Sequence, residues 1–236
     1  MPDQFSRTRM LLGDEAIRRL NQSRVILFGV GGVGSFAAEA LARAGIGRIA
    51  LVDNDVVSLT NLNRQLIALH STMGQKKVNV MKQRINDINP DAEVTAYDVF
   101  LSADTAENFD FSSYDYVLDA IDTVSAKLIL ADLCRKAGIP LISSMGTGNK
   151  LDPTQLCVTD IYRTSGDPLA RIMRRELKKQ GILKLKVVCS KEEPVKPVFG
   201  LEETTTRRSV PGSISFVPPA AGMILAGECI KDLLEI

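Results

Sequence analysis

Residues 53–77 hold two carboxylates in Asp53-Asn54-Asp55, then Asn61-Leu62-Asn63-Arg64-Gln65, then Lys77. Arg64 and Lys77 are cations of the kind that neutralise charge growing on a polyphosphate during nucleotidyl transfer, where catalysis is mostly positioning and electrostatics. Upstream lies Gly29-Val30-Gly31-Gly32-Val33-Gly34, spaced GxGxxG. Glycines at 29 and 31 allow a tight turn and close approach to phosphate oxygens, Gly32 belongs to the same turn, and Gly34 lets the next helix pack close to the strand. The helix N-terminus adds free N–H groups and positive potential for an anion. Two elements must position this turn: the apolar run Arg24 to Phe28, read as a buried strand, and Ser35 to Ala44, read as a small-residue helix.

The glycine fingerprint alone does not choose a nucleotide. Asp53 ends the apolar run Arg48 to Val52, where a Rossmann acid would hold ribose hydroxyls, so NAD stays open at this point. Hydride chemistry usually needs a proton donor near the substrate carbonyl. The chain offers His70 as its single histidine, without a partner cluster, and it is read as structural. Taken one at a time, Asp55 and Asn61 also suit turn and cap positions, and Asp122 followed by Thr123 suits an N-cap as well as a metal ligand.

The pattern alternates strand and helix, as a doubly wound sheet demands. Strands are expected near 24–29, 48–53, 92–97, 115–119 and 139–144, and helices near 32–44, 74–87 and 123–137, the last stopping at Gly138. The expected fold class is α/β: a Rossmann-like, doubly wound, mostly parallel sheet with appended C-terminal strands and a helix starting at Pro218-Pro219. The strand carboxyl ends would gather the glycine turn, Asp53, Asp122 and Ser144 to Asn149 around one crevice. One domain is expected, with an N-terminal helical extension (1–22), a nucleotide-binding core (23–150) and substrate-side and dimerisation elements (151–236); 236 residues, 45% of them hydrophobic, suffice for one core.

The N-terminus lacks a signal-peptide pattern and no apolar run reaches the roughly 18 residues of a membrane span, so a soluble cytoplasmic protein is expected. Four cysteines, at 134, 157, 189 and 229, form no CxxC pair, which excludes a local zinc or redox motif; Cys189 and Cys229 are read as small buried hydrophobes, with a thioester role as the alternative at Cys189. Lys191 to Ser213 is a long irregular stretch, functional or disordered. From Arg163 to Lys191 there are nine lysines and arginines against two acidic residues, although the whole chain is only +1. A helix over 168–180 would bury Leu169, Ile172, Met173 and Leu177 and present Arg171, Arg174, Arg175, Lys178 and Lys179, a face suited to RNA phosphates or simply to solvent; Arg207 and Arg208 extend the charge.

The glycine turn, the run Asp53 to Gln65, Lys77 after Gly74, and Asp122 in Asp119-Ala120-Ile121-Asp122 together resemble the adenylation core of the ubiquitin-activating enzyme superfamily. Gln4 to Thr8, Ile142 to Gly146 with Asn149-Lys150 and Asp152-Pro153-Thr154, and Phe216 to Gly222 narrow the resemblance to the tRNA threonylcarbamoyladenosine dehydratases. The resemblance implies ATP and Mg²⁺, with Asp53 on the ribose, Asn61, Arg64 and Lys77 on the phosphates, Asp122 on the metal, and Arg7 reaching across a homodimer. Asp55 and Gln65 belong to the same nucleotide-binding run.

The implied reaction adenylates the carboxylate of threonylcarbamoyladenosine at position 37 of tRNA, after which a nucleophile of the same nucleoside displaces AMP and closes a ring with net loss of water. Intramolecular capture needs no enzyme thiol. The competing reading is activation of the C-terminal glycine of a ubiquitin-like or sulfur-carrier protein, with a sulfur-relay partner; a non-catalytic scaffold binding nucleotide and tRNA is the next, and an NAD oxidoreductase the last.

Overall fold

The computed structural model describes residues 2–199 and 211–236. Strands β1 (Arg24–Phe28), β2 (Arg48–Val52), β3 (Glu93–Tyr97), β4 (Tyr116–Asp119), β5 (Leu141–Ser144), β6 (Leu156–Asp160) and β7 (Lys186–Ser190) form one sheet in the order β3-β2-β1-β4-β5-β7-β6. All neighbours are parallel except β6, which runs antiparallel to β7 at the edge. Helices are α1 (Ser6–Gln22), α2 (Gly34–Ala44), α3 (Lys77–Ile88), α4 (Val124–Ala137), α5 (Pro168–Lys179) and α6 (Val217–Leu234). No described helix is long and apolar enough to cross a membrane.

The central strands are apolar almost throughout because both sheet faces are covered. Val25 and Leu27 of β1 point into a core shared with α2, α3 and α6, whereas Ile26 and Phe28 point to the other face, where α4 packs with Phe109 and Phe111. A third cluster joins α5 to β7 through Met173, Leu177 and Val187. Gly45 and Gly138 end α2 and α4 in the left-handed conformation, as expected at 138. The first helix is interrupted at Gly13 (φ 82°, ψ 172°), so the 1–22 extension is two helical pieces.

The observed elements lie within three residues of the expected ends. Edge strand β6 pairs with β7, distant in sequence: Cys157 opposes Cys189 and Val158 opposes Val188. The predicted α5 stripe is present, with Ala170, Met173 and Leu177 fully buried, Leu169 and Ile172 only partly so.

Candidate active site

Strand β1 delivers the chain into the glycine turn, and two close approaches explain its composition. Gly29 has φ 88°, and a Cβ there would sit 2.6 Å from the Ala120 carbonyl oxygen; a Cβ on Gly34 would sit 1.8 Å from the Gly29 oxygen. Gly31 is different, since a Cβ there would meet nothing nearer than Gln65 Nε2 at 3.9 Å. The space beside Gly31 is thus the opening through which a phosphate can reach the backbone N–H groups at the start of α2.

Beneath the turn, α6 holds α2. A Cβ on Gly222 would lie 2.2 Å from the Val33 oxygen, and Pro218 Cβ lies 3.1 Å from the Cβ position of Gly32. The Phe216 to Gly222 motif therefore serves the nucleotide turn from behind. Ser35 is fully buried and links a second segment to it: its hydroxyl donates to the Gly31 oxygen at 2.7 Å and accepts from the Leu66 N–H at 3.2 Å.

Asp53, at the end of β2, accepts from the Val30 N–H at 2.7 Å and the Asp55 N–H at 2.8 Å, which fixes its carboxylate at the mouth of the turn. Asn61 is buried and caps its short 3₁₀ turn by accepting from the Ser58 N–H at 3.1 Å. Arg64 donates to the Thr60 oxygen and Asn63 Oδ1, both at 2.9 Å, and its Cγ lies 3.3 Å from the Cβ position of Gly32. Gln65 is buried with its Oε1 unpartnered. Lys77 opens α3 and puts its ammonium 2.7 Å from Asp55 Oδ2, with its side chain 6% exposed. Glu39 of α2 binds Arg84 of α3 at 2.7 Å and so locks the lysine helix to the glycine helix. Burial pushes Glu39 upward, but hydrogen bonds from Arg84 and Arg43 outweigh it and hold the carboxyl below its usual value.

Asp122 follows β4 in a loop against the glycine turn, because β4 pairs with β1 and Ala120 abuts Gly29. Asp122 is exposed and accepts only weakly from Thr123 at 3.3 Å, so its oxygens are available. The loop is anchored from below by Lys127, whose fully buried ammonium donates to Asp119 Oδ2 (3.0 Å), Ser143 Oγ (3.1 Å) and the Ser144 oxygen (2.7 Å). Ser143 donates to the same Asp119 oxygen at 2.5 Å, and Ile121 N–H to the other at 3.0 Å. All three ammonium protons are spent on the ends of β4 and β5.

Beyond β5, Asn149 (φ 57°) exchanges two hydrogen bonds with Gly212 and accepts from the Val195 N–H at 2.8 Å. Lys150 is buried and donates to the Glu192 carbonyl, while the Glu192 carboxylate accepts from the Leu151 and Asp152 N–H groups.

A model of the ThiF family matches residues 5–236. The chain belongs to the ThiF family. Along its full length it is 49% identical to the tRNA threonylcarbamoyladenosine dehydratase of Bacillus subtilis, covering 96% of that protein. It is 45% identical to the Escherichia coli K12 protein of the same name over 76% of this chain and 68% of that one. The solved structure of E. coli tRNA N6-threonylcarbamoyladenosine dehydratase in complex with ATP matches with a TM-score of 0.89 at 38% identity, covering 98% of this chain and 94% of that one.

This ThiF-family chain thus brings together the glycine turn, Asp53, Asp55, Asn61, Arg64, Gln65, Lys77 and Asp122. Arg7 is not among them. Phe5, two residues before it, packs against Gly45 at the far end of α2, about 16 Å along the helix from the turn. On α5, Arg171 and Lys178 are exposed, but Arg174 is tied to Thr164, and Arg175 and Lys179 to Glu176, so the cationic face is less free than its charge suggests. Arg207 and Arg208 lie outside the described residues. Among the described residues no three His, Cys, Asp or Glu side chains converge as a metal site. The exposed carboxylate of Asp122 could serve as the single protein ligand of a Mg²⁺ ion otherwise held by nucleotide phosphates. Burial pushes the Cys134 and Cys189 thiols up to about 12 and Cys229 well above its ordinary value, which disfavours their thiolate forms.

Proposed function

We propose that this protein uses ATP to dehydrate threonylcarbamoyladenosine at position 37 of tRNA through a carboxyl-adenylate. The observation that carries the reading is the shared crevice of an open glycine turn with Arg64, the Lys77–Asp55 pair and Asp122, in a chain similar end to end to proteins bearing that name. Asn61, Arg64 and Lys77 bind the phosphates, Asp53 orients the ribose, and Gln65 closes the wall beside Gly31. Lys77 and Arg64 exchange their local partners for phosphate oxygens as charge develops at the attacked phosphorus. Asp122 holds Mg²⁺, which when bound supplies further charge neutralisation on the polyphosphate.

The protein acts as a homodimer. Arg7 is remote from its own crevice, and Met10 and Leu11 beside it are each 85% exposed, so α1 has an apolar surface to bury and an arginine to lend to a neighbouring copy's ATP site. Residues 23–150 form the nucleotide half, while 1–22 and 151–236 serve dimerisation and the tRNA, which meets Arg171 and Lys178. Free thiols and a tRNA substrate suit the cytoplasm.

The test is incubation with ATP, Mg²⁺ and tRNA carrying threonylcarbamoyladenosine, followed by nucleoside mass measurement, with Arg64→Ala as control. A loss of about 18 Da that vanishes in the variant supports adenylation-driven ring closure at this crevice. An unchanged mass with ATP bound transfers the reading to a protein carboxylate, tested by pyrophosphate exchange with ubiquitin-like carriers.

A further inference from the structure

Two of the four thiols, far apart in the sequence, meet in the fold. Cys229 lies in the core shared with α2 and α6, and Cys134 in the cluster beneath α4, whereas Cys157 and Cys189 share the third cluster, between the sheet and α5. They are directly opposed on β6 and β7, and their sulfurs are 3.7 Å apart. The strands are already spaced for a covalent link. The Lys191 N–H donates to the Gln155 oxygen and the Ile161 N–H to the Leu185 oxygen, two and four residues from the pair. With a period of two along each strand, Cys157 and Cys189 therefore occupy a hydrogen-bonded position, where opposed Cα atoms stand about 5.5 Å apart. Disulfides take Cα separations of about 4.4–6.8 Å, so rotation of the side chains can close the gap to a bond of about 2.05 Å.

The two thiols differ in access. Cys157 is half-buried on the edge strand β6, while Cys189 is 3% exposed on β7, one strand further in. An oxidant arriving from solvent meets Cys157 first and finds Cys189 directly behind it. Burial, and after it the charge of Cys157, holds the Cys189 thiol up, while the buried Lys150 ammonium acts in the opposite direction. Oxidation of Cys157 removes the second of these obstacles, because the oxidised sulfur no longer carries a thiolate charge.

We propose that Cys157 and Cys189 are a modification site, forming a reversible disulfide when the protein meets hydrogen peroxide, with Cys157 the thiol that reacts first. The Cys157 thiolate attacks one peroxide oxygen, the O–O bond breaks, and hydroxide leaves with the electron pair and is protonated to water, giving the sulfenic acid. The Cys189 sulfur then attacks the Cys157 sulfur. The S–O bond breaks, and the departing hydroxide takes up the Cys189 proton as a second water. Two thiols lose two electrons to one peroxide and become one disulfide. A dithiol reverses the change by exchange, so in a reducing compartment the bond is transient.

The test treats the reduced, full-length protein with hydrogen peroxide, denatures it in N-ethylmaleimide and maps it with trypsin. The expected product is peptide 151–163 joined to peptide 187–191, about 2 Da lighter than their sum, with only Cys134 and Cys229 alkylated and dithiothreitol restoring all four thiols. Cys189→Ser should stop at a Cys157 sulfenic acid that dimedone traps, whereas Cys157→Ser should leave Cys189 a thiol at the same dose. The wild-type map decides the matter even where a serine variant fails to fold. Cys157 carried on to sulfinic acid beside a free Cys189 overturns the proposal. So does a pair left unreacted at a dose that oxidises a short cysteine peptide in the same tube, or a linkage found only between two copies of the chain. Oxidised Cys189 in folded Cys157→Ser overturns the assigned order.

Discussion

Lys77 Nζ lies 2.7 Å from Asp55 Oδ2, an ion pair with one member nearly buried and the other 62% exposed. In the proposed mechanism Asp55 holds the ammonium until phosphate oxygens arrive and is afterwards solvated where it stands. Lys77→Met should lower pyrophosphate exchange by about 10²–10³, the range for loss of one preorganised charge donor, with little change in melting temperature. An unfolded variant would instead assign Lys77 to the fold.

The Lys127–Asp119 pair should behave oppositely. Both groups are buried, so Lys127→Met leaves an uncompensated carboxylate and is expected to cost about 3–5 kcal/mol in urea denaturation. Adding Asp119→Asn should recover part of that loss. A double variant less stable than Lys127→Met would refute this account of the pair.

Glu39 gives the fold an acid-labile joint. Its folded value is held below the ordinary 4.5, so its contribution is complete above that pH and is lost as pH falls through the lowered value. Glu39→Gln should lose about 1.5–3 kcal/mol at pH 7 and show a shallower decline in stability below pH 4.5. Parallel stability curves for the two proteins across that range would contradict it.

Cys189 is the thiol on which a thioester mechanism would have rested. With its value pushed up to about 12, first by burial and then by Cys157 at a sulfur separation of 3.7 Å, it is a poor nucleophile at pH 7. Cys189→Ser should keep dehydration within a few-fold of wild type, and iodoacetamide should leave Cys189 unlabelled in native protein at pH 8. Abolished activity in a folded serine variant would bring the thioester back.

Arg171 and Lys178 are the α5 cations expected to meet phosphates. Replacing both with alanine should weaken tRNA binding and reduce the magnitude of the log–log salt slope by about one for each contact removed, measured by filter binding. Arg175→Ala should do less, because Glu176 already holds that guanidinium. Equal effects would mean that the tie to Glu176 opens on binding.

The nucleotide half was legible because its signals are local. Gly29 answers to a positive φ and Gly34 to a close backbone approach, both within one strand–turn–helix unit, and Gly138 ends α4 by its own left-handed conformation. What stayed hidden depends on strands distant in sequence. Lys127 reads as an ordinary helix lysine until β5 is placed beside β4, and Ser35 as one more small residue until the Leu66 amide lands on it. Gly222 carries no periodic signal; its reason is the Val33 oxygen, nearly two hundred residues upstream. Asp167-Pro168 does announce a helix start, but that one oxygen of the Asp167 carboxylate goes without a partner is invisible without its surroundings.

Asn149 holds Val195 and Gly212 together, so the chain between those two residues leaves and returns at one point. One residue therefore fixes two points of the chain at once, so a shift of Asn149 moves Val195 and Gly212 together.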